Sequence, residues 1–161
     1  MVSIGPTGNN PVIQIVHSST SSRVACTTAM PYDNTIPQIT EGTQVLTATI
    51  TPKSASNILY ILYQGFCGAG ATATTYCFAL FQDATAGALA AAATTNNNST
   101  FRSSHSLAYK MLAGTTSATT FQIRLGNQTA ANTWEINGDG AGNRVGGGTA
   151  STTLTIWEYQ A

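Results

Sequence analysis

The sequence predicts an all-β fold in which short antiparallel strands form a sandwich. Apolar and polar residues alternate along much of the chain, whereas no segment carries the apolar stripe of an amphipathic helix. Runs rich in Gly, Asn, Ser and Thr separate the alternating segments and predict turns between strands. The 161 residues are enough for one domain. We expect residues 12–161 to form that domain and residues 1–11 to be a flexible lead-in or the remnant of a stalk.

Three segments predict strands with one buried face. They are QVLTATIT at 44–51, TFQIRLG at 120–126 and TWEIN at 133–137, and each places its apolar residues at every second position. The residues expected to face the core are Leu46, Ala48, Ile50, Phe121, Ile123, Leu125, Trp134 and Ile136.

The segment ALAAAA at 88–93 is ambiguous, because alanine is the best helix former. The segment is shorter than a stable helix, and threonines follow it. We therefore interpret it as a strand of small side chains.

Two further segments, NILYILYQGF at 57–66 and TYCFALFQD at 75–83, are apolar on both faces. A two-layer sandwich buries only one face of each sheet, so the second face needs another cover. That cover is either a loop of the same chain or another subunit, and we favour the subunit. The run ASTTLTIWEY at 150–159 also offers apolar residues to both sides. We expect it to be a central, indispensable strand that shares in the subunit contact.

Composition argues against several partners and cofactors. Six basic and six acidic residues leave no net charge to attract nucleic acid or an anionic membrane. No apolar run reaches the length of a membrane span, and the first residues lack the pattern of a signal peptide. Cys26, Cys67 and Cys77 lack the spacing of a zinc site, so we expect no metal or other cofactor. We interpret them as buried, reduced thiols of a protein made in a bacterial cytoplasm, with a Cys67–Cys77 disulfide as the alternative.

The acidic residues predict no catalytic site, because their spacing singles out no carboxylate pair of the kind that a glycosidase needs. NGDGAGN at 137–143 resembles a calcium loop, but it offers one carboxylate where calcium usually takes several. We interpret it as hairpin turns, in which Asn-Gly and Asp-Gly supply positive φ. The protein is therefore expected not to be an enzyme.

The most promising ligand-binding segment is TTNNNSTFRSSH at 94–105, which is longer than most hairpin connections. Its amides, guanidinium and imidazole suit sugar hydroxyls; the alternative is a solvated polar loop anchored by Phe101. If successive strands pair, loops 94–106 and 127–133 share one end of the sandwich, and loops 113–119 and 137–148 share the other. The predicted ligand-binding residues are Asn97, Asn98, Arg102, His105 and Asn127. Tyr32, Arg144 and the glycine-rich hairpin are the next candidates.

Four stretches together resemble a known type of domain. They are MPYDNTIPQITEGTQVLTATITPKSASNILYI, ALFQDATAGALAAA, MLAGTTSATTFQIRLG and GGGTASTTLTIWEY. The region from about residue 30 to 159 is similar to a domain found, usually near the C-terminus, in tail-fibre, tail-spike and other virion proteins of tailed bacteriophages. The resemblance implies an antiparallel jelly-roll sandwich, similar to the tumour-necrosis-factor (TNF)-like fold, that forms a homotrimer at the tip of a fibre. It implies no catalytic residues.

These observations predict a non-enzymatic receptor-binding or adhesion head of a phage tail fibre or related virion appendage. Its expected partners are two further copies of the chain, the rest of the appendage, and a glycan or protein receptor on the host surface. The alternative is a structural virion protein, such as a trimerisation cap, a capsid decoration or a head fibre, without a receptor of its own.

Overall fold

A computed structural model describes residues 10–69, 74–97, 102–130 and 133–161, and within them the chain is all-β with one short 3₁₀ turn at Gly146–Gly148. The predicted fold class is confirmed. The strands are β1 Val12–Thr20, β2 Val24–Cys26, β3 Thr43–Ile50, β4 Ile58–Ala69, β5 Thr74–Gln82, β6 Ala90–Asn96, β7 Arg102–Leu112, β8 Thr119–Asn127, β9 Trp134–Ile136 and β10 Thr152–Tyr159. None of the described segments forms a helix able to cross a bilayer.

The strands form two antiparallel sheets. The first has the order β1-β10-β4-β9-β2, with β7 pairing the other edge of β4, and the second has the order β3-β8-β5-β6. The chain crosses from one sheet to the other between β2 and β3, β3 and β4, β4 and β5, β6 and β7, β7 and β8, and β8 and β9. These crossings, rather than hairpins between successive strands, give the jelly-roll sandwich.

The crossings decide which loops share an end of the sandwich. Thr74 pairs with Asn96, and Tyr76 pairs with Asn127, so the loops after β6 and β8 lie at the same end, as predicted. The prediction that loop 137–148 lies at the opposite end is wrong. Gly138 and Asp139 lie against Gly68, which pairs with Arg102. The reason is that β9 pairs with the last residues of β4, Cys67–Ala69, so the loop that follows β9 lies at that end of the sandwich.

The core lies between the sheets, and every inward residue predicted for β3, β8 and β9 is buried. The alanine run forms β6, an edge strand of the second sheet, which confirms the strand interpretation over the helix. β10 lies between β1 and β4 and is central, as predicted. Cys26, Cys67 and Cys77 are free, buried thiols. Burial raises the pKa of the Cys26 thiol to about 12 and that of Cys77 to about 11.

The second face of β5 is covered by the same chain, so the subunit interpretation is wrong for this strand. Met30 packs there with Cys77, Ala79 and Phe81, and Ile39 packs at the margin. The segment 27–42 is held across the sheet because the Met30 amide donates to the Asn127 carbonyl at 2.8 Å and the Ile39 amide donates to the Ala86 carbonyl at 2.8 Å. Gly42 has a φ of +64°, and a Cβ there would lie 2.7 Å from the Met30 methyl.

The outer face of β4 and β10 has no cover in the described part of the chain. Leu59, Ile61 and Tyr63 point into the core, whereas the residues between them are half-buried or exposed. The uncovered apolar residues of this face and its edges, called here the apolar outer face, are Val12, Ile13, Ile15, Ile58, Tyr60, Leu62, Leu112, Trp157 and Tyr159.

Candidate functional site

The predicted ligand-binding residues do not form one site. Arg102 is exposed at the start of β7, and Asn97 is exposed directly after β6. Asn98 lies outside the described residues. The two remaining predicted residues, His105 and Asn127, turn their side chains inward: Asn127 is buried and His105 is half-buried.

His105 is directed into the core because β7 alternates its faces, and position 105 shares the inward face with Leu107, Tyr109 and Met111. Its Nε2 lies 2.9 Å from the Tyr63 hydroxyl, and its Nδ1 lies 3.5 Å from the Cys67 sulfur. Burial lowers the pKa of His105 to about 4, so the ring is neutral at physiological pH. The alternation of RSSHSLAYKML could have revealed this inward orientation from the sequence.

Asn127 is a structural residue at the end of β8, only 1% exposed. Its side-chain oxygen accepts hydrogen bonds from the Thr74 hydroxyl at 2.6 Å and from the Thr129 amide at 3.1 Å. Because its carbonyl also accepts the Met30 amide, Asn127 joins β5, β8 and the segment over β5. Nothing of its side chain is left at the surface for a ligand.

A cleft opens on the outer face of the first sheet where β4 changes neighbours. β10 pairs with β4 as far as Gln64, and β9 pairs with it only from Cys67 onward. The cleft has a volume of about 450 Å³. Its outward side chains are Gln64, Phe66, Ser104, Ser106, Ser151 and Thr153, and Gly65 and His105 also border it. Sequence analysis missed this group, because only the register of β4 with β7 and β10 brings these residues together.

The next candidates, Tyr32 and Arg144, lie in different surroundings. Tyr32 is 64% exposed and borders a smaller cleft of about 200 Å³ beside the alanines of β6. Arg144 is exposed and donates to the Ser21 hydroxyl at 3.3 Å. It therefore helps hold the glycine-rich hairpin against the loop after β1.

All six carboxylates of the chain accept hydrogen bonds from the chain itself. Most of the donors are backbone amides of turns. Glu158 is fully buried; burial alone would raise its pKa, but hydrogen bonds from Asn57, Gln14 and the amides of Lys53 and Ser54 hold the pKa below its usual range. These carboxylates hold loops in place.

The segment 137–143 uses turn chemistry, as predicted. The Asp139 carboxylate accepts the amides of Ala141 at 2.8 Å and Asn143 at 3.0 Å, and Gly140 and Gly142 have φ values of 80° and 94°. Hydrogen bonds from the Asn143 side chain and these amides lower the pKa of Asp139 to about 2. Among the described residues, no group of three or more His, Cys, Asp or Glu side chains is arranged to hold a metal ion.

Comparison with known proteins gives a fold relationship. No protein-family model matches the sequence, and no curated protein matches it significantly. Among solved structures, the chain is similar to the Eiger TNF of S. frugiperda, with a TM-score of 0.52 and 12% sequence identity over 94% of this chain and 96% of that one. At this identity the likeness concerns the fold alone. The chain therefore has a TNF-like jelly-roll fold, as the resemblance in its sequence implied.

Proposed function

We propose that this chain is a non-enzymatic, homotrimeric receptor-binding head of a phage tail fibre or a related virion appendage. The observation that carries the proposal is the apolar outer face of the first sheet. The sequence resemblance to virion proteins supports a location on a phage appendage, and the TNF-like fold supports a threefold assembly.

Two rows of side chains across four strands form most of the apolar outer face. Tyr159, Ile58 and Leu112 are paired neighbours in one row. Ile15, Trp157 and Tyr60 are paired neighbours in the next, and the rings of Tyr60 and Trp157 lie 5.8 Å apart. Ile15 is 57% exposed and Leu112 is 61% exposed. A continuous patch of this kind on a protein surface typically marks an interface, and copies of the same chain are its proposed occupant.

The absence of catalysis is supported by how the reactive side chains are used. The carboxylates accept hydrogen bonds from the chain itself, and the half-buried His105 ring contacts Tyr63 and Cys67. His17 is exposed on β1, where its Nδ1 contacts the Thr155 hydroxyl at 2.9 Å. In the described residues, neither histidine lies beside a carboxylate that would activate it.

We expect the purified protein to scatter light as a particle of three times the 16.7 kDa chain mass. Ile15→Asp combined with Leu112→Asp should dissociate it to the monomer, because each subunit would bury two unpaired charges in the interface. Gln44→Asp, an exposed position of the second sheet, is the matched control and should leave the mass unchanged. A wild-type monomer at micromolar concentration would contradict the trimer.

Receptor binding is tested separately with fluorescently labelled trimer on cells of the host bacterium. Retention on the cells supports the adhesion head. A trimer that decorates virions but binds no host surface would instead support the structural alternative of a cap or capsid decoration.

A further inference from the structure

The cleft beside Gln64 and Phe66 is lined mainly by polar side chains that come from paired strands. It lies on the same sheet face as the apolar outer face, but at the other end of β4, where apolar side chains give way to polar ones. Gln64 pairs with Ser106 on one side and with Thr153 on the other, and Phe66 pairs with Ser104. Strand pairing therefore fixes the spacing of these groups, and backbone ladders are more rigid than loops.

The polar side chains of the cleft have unused hydrogen-bonding capacity. In the described part of the chain, the side chains of Gln64, Ser104, Ser106, Ser151 and Thr153 make no hydrogen bond. At other positions comparable groups are paired within the chain: the Thr119 hydroxyl donates to Asp83, and the Asn57 amide donates to Glu158. A cluster of unpartnered donors and acceptors around one cleft is a surface that a polar ligand can satisfy.

The chemistry of the lining selects the class of ligand. Among the described residues no Asp, Glu, Lys or Arg lines the cleft, and His105, which also borders it, is neutral because burial lowers its pKa to about 4. These residues therefore offer no charged partner for a carboxylate, phosphate or ammonium group. Hydroxyl and amide groups both donate and accept, which matches the hydroxyls of a sugar. The half-buried Phe66 ring offers an apolar plane for the C–H face of a pyranose ring. The volume of about 450 Å³ is in the range of small-molecule sites.

We propose that this cleft binds a neutral saccharide unit, with Phe66 as the stacking platform and Gln64, Ser104, Ser106 and Thr153 as the hydroxyl-binding groups. The proposal rests on the proposed function and names its ligand class and site. On β7 the proposed binding groups are Ser104 and Ser106, the outward neighbours of His105. His105 also borders the cleft, but its ring is engaged with the Tyr63 hydroxyl and the Cys67 sulfur.

The experiment titrates the intact wild-type protein with D-glucose, D-galactose and N-acetyl-D-glucosamine, and follows saturation transfer from protein to sugar by NMR. We expect binding of at least one sugar with a dissociation constant on the order of 1 mM, the affinity of a shallow site. Because no charged side chain of the described residues lines the cleft, the affinity should be unchanged between about 50 mM and about 500 mM sodium chloride.

Three variants locate the site. The first is a double variant, in which Phe66→Leu keeps an apolar side chain but removes the ring and Gln64→Ala removes an amide. This double variant should bind sugar at least about tenfold more weakly than the wild type. Phe66→Tyr should retain binding, and Gln44→Ala is the control for loss of an exposed glutamine on the other sheet. Each variant is first checked for wild-type mass and thermal stability.

The outcomes separate this proposal from the proposed function. If the trimer adheres to host cells and Phe66→Leu with Gln64→Ala adheres equally, the cleft is not the receptor site, and the adhesion head stands. If none of the three sugars binds the folded trimer, or if binding weakens steeply with salt, the neutral-saccharide assignment is overturned. If sugars bind but the wild-type protein does not adhere to host cells, the saccharide site is supported and the adhesion function is contradicted.

Discussion

Removal of residues 150–161 is expected to abolish folding. The deletion takes out β10, which pairs with β1 on one side and β4 on the other, so two strands lose their hydrogen-bonding partner at once. Leu154 and Ile156 are fully buried, and burial of each contributes about 1.5–3 kcal/mol. A domain has only about 5–15 kcal/mol of stability, so these two losses together with the broken strand pairing exceed what it can lose. Circular dichroism and thermal unfolding of the truncated chain provide the measurement.

The matched control removes only residues 160–161, which follow β10. It should keep a cooperative transition close to that of the full chain, because Leu154, Ile156 and Glu158 all remain. A truncation at residue 149 that still gave a folded trimer with a cooperative transition would show that β10 is peripheral.

Mild acid is expected to destabilise the protein through His105. Burial lowers the pKa of His105 from 6.5 to about 4 in the folded state. Between these values the unfolded chain binds a proton that the folded chain excludes, so the free energy of unfolding falls as the pH falls. From about pH 7 to about pH 5 the loss should be about 2 kcal/mol. Urea unfolding at several pH values measures it.

The variant His105→Gln removes the titrating ring and retains a side chain that can donate to the Tyr63 hydroxyl. Its unfolding free energy should be lower than that of the wild type at neutral pH but almost flat over the same interval. His17→Gln, at an exposed position of β1, should keep the wild-type slope. An unchanged slope in His105→Gln would show that another group is responsible.

The faces of the strands could be predicted from the sequence because alternation is a local property. Phe121, Ile123 and Leu125 needed only their own spacing to be assigned inward, and the same reasoning applied to β7 would have placed His105 in the core. The uncovered face of β4 and the covered face of β5 could not be told apart in this way. Both segments are apolar on both sides, and the difference is that Met30, far away in the chain, packs on only one of them.

The candidate site was harder to predict than the fold. Residues 94–105 attracted attention for their composition, yet composition does not show which side of a strand a residue occupies. Gln64, Ser104 and Thr153 come from three strands that are distant in sequence, and they meet because β4 pairs with both β7 and β10. Serine and threonine on outward positions of strands are common, so no local signal marks these as a group.

The central position of β10 constrains when the protein can fold during its synthesis. β1 and β4 emerge from the ribosome long before β10, and they do not pair with each other. The first sheet therefore cannot close until residues 152–159 have left the exit tunnel, whereas β3, β5, β6 and β8 of the second sheet are all available earlier. Until β10 emerges, the edges of β1 and β4 that will pair with it remain unpaired. Ribosomes that stall after β9 would release chains with two unpaired strand edges, which are a substrate for aggregation or for chaperones and proteases.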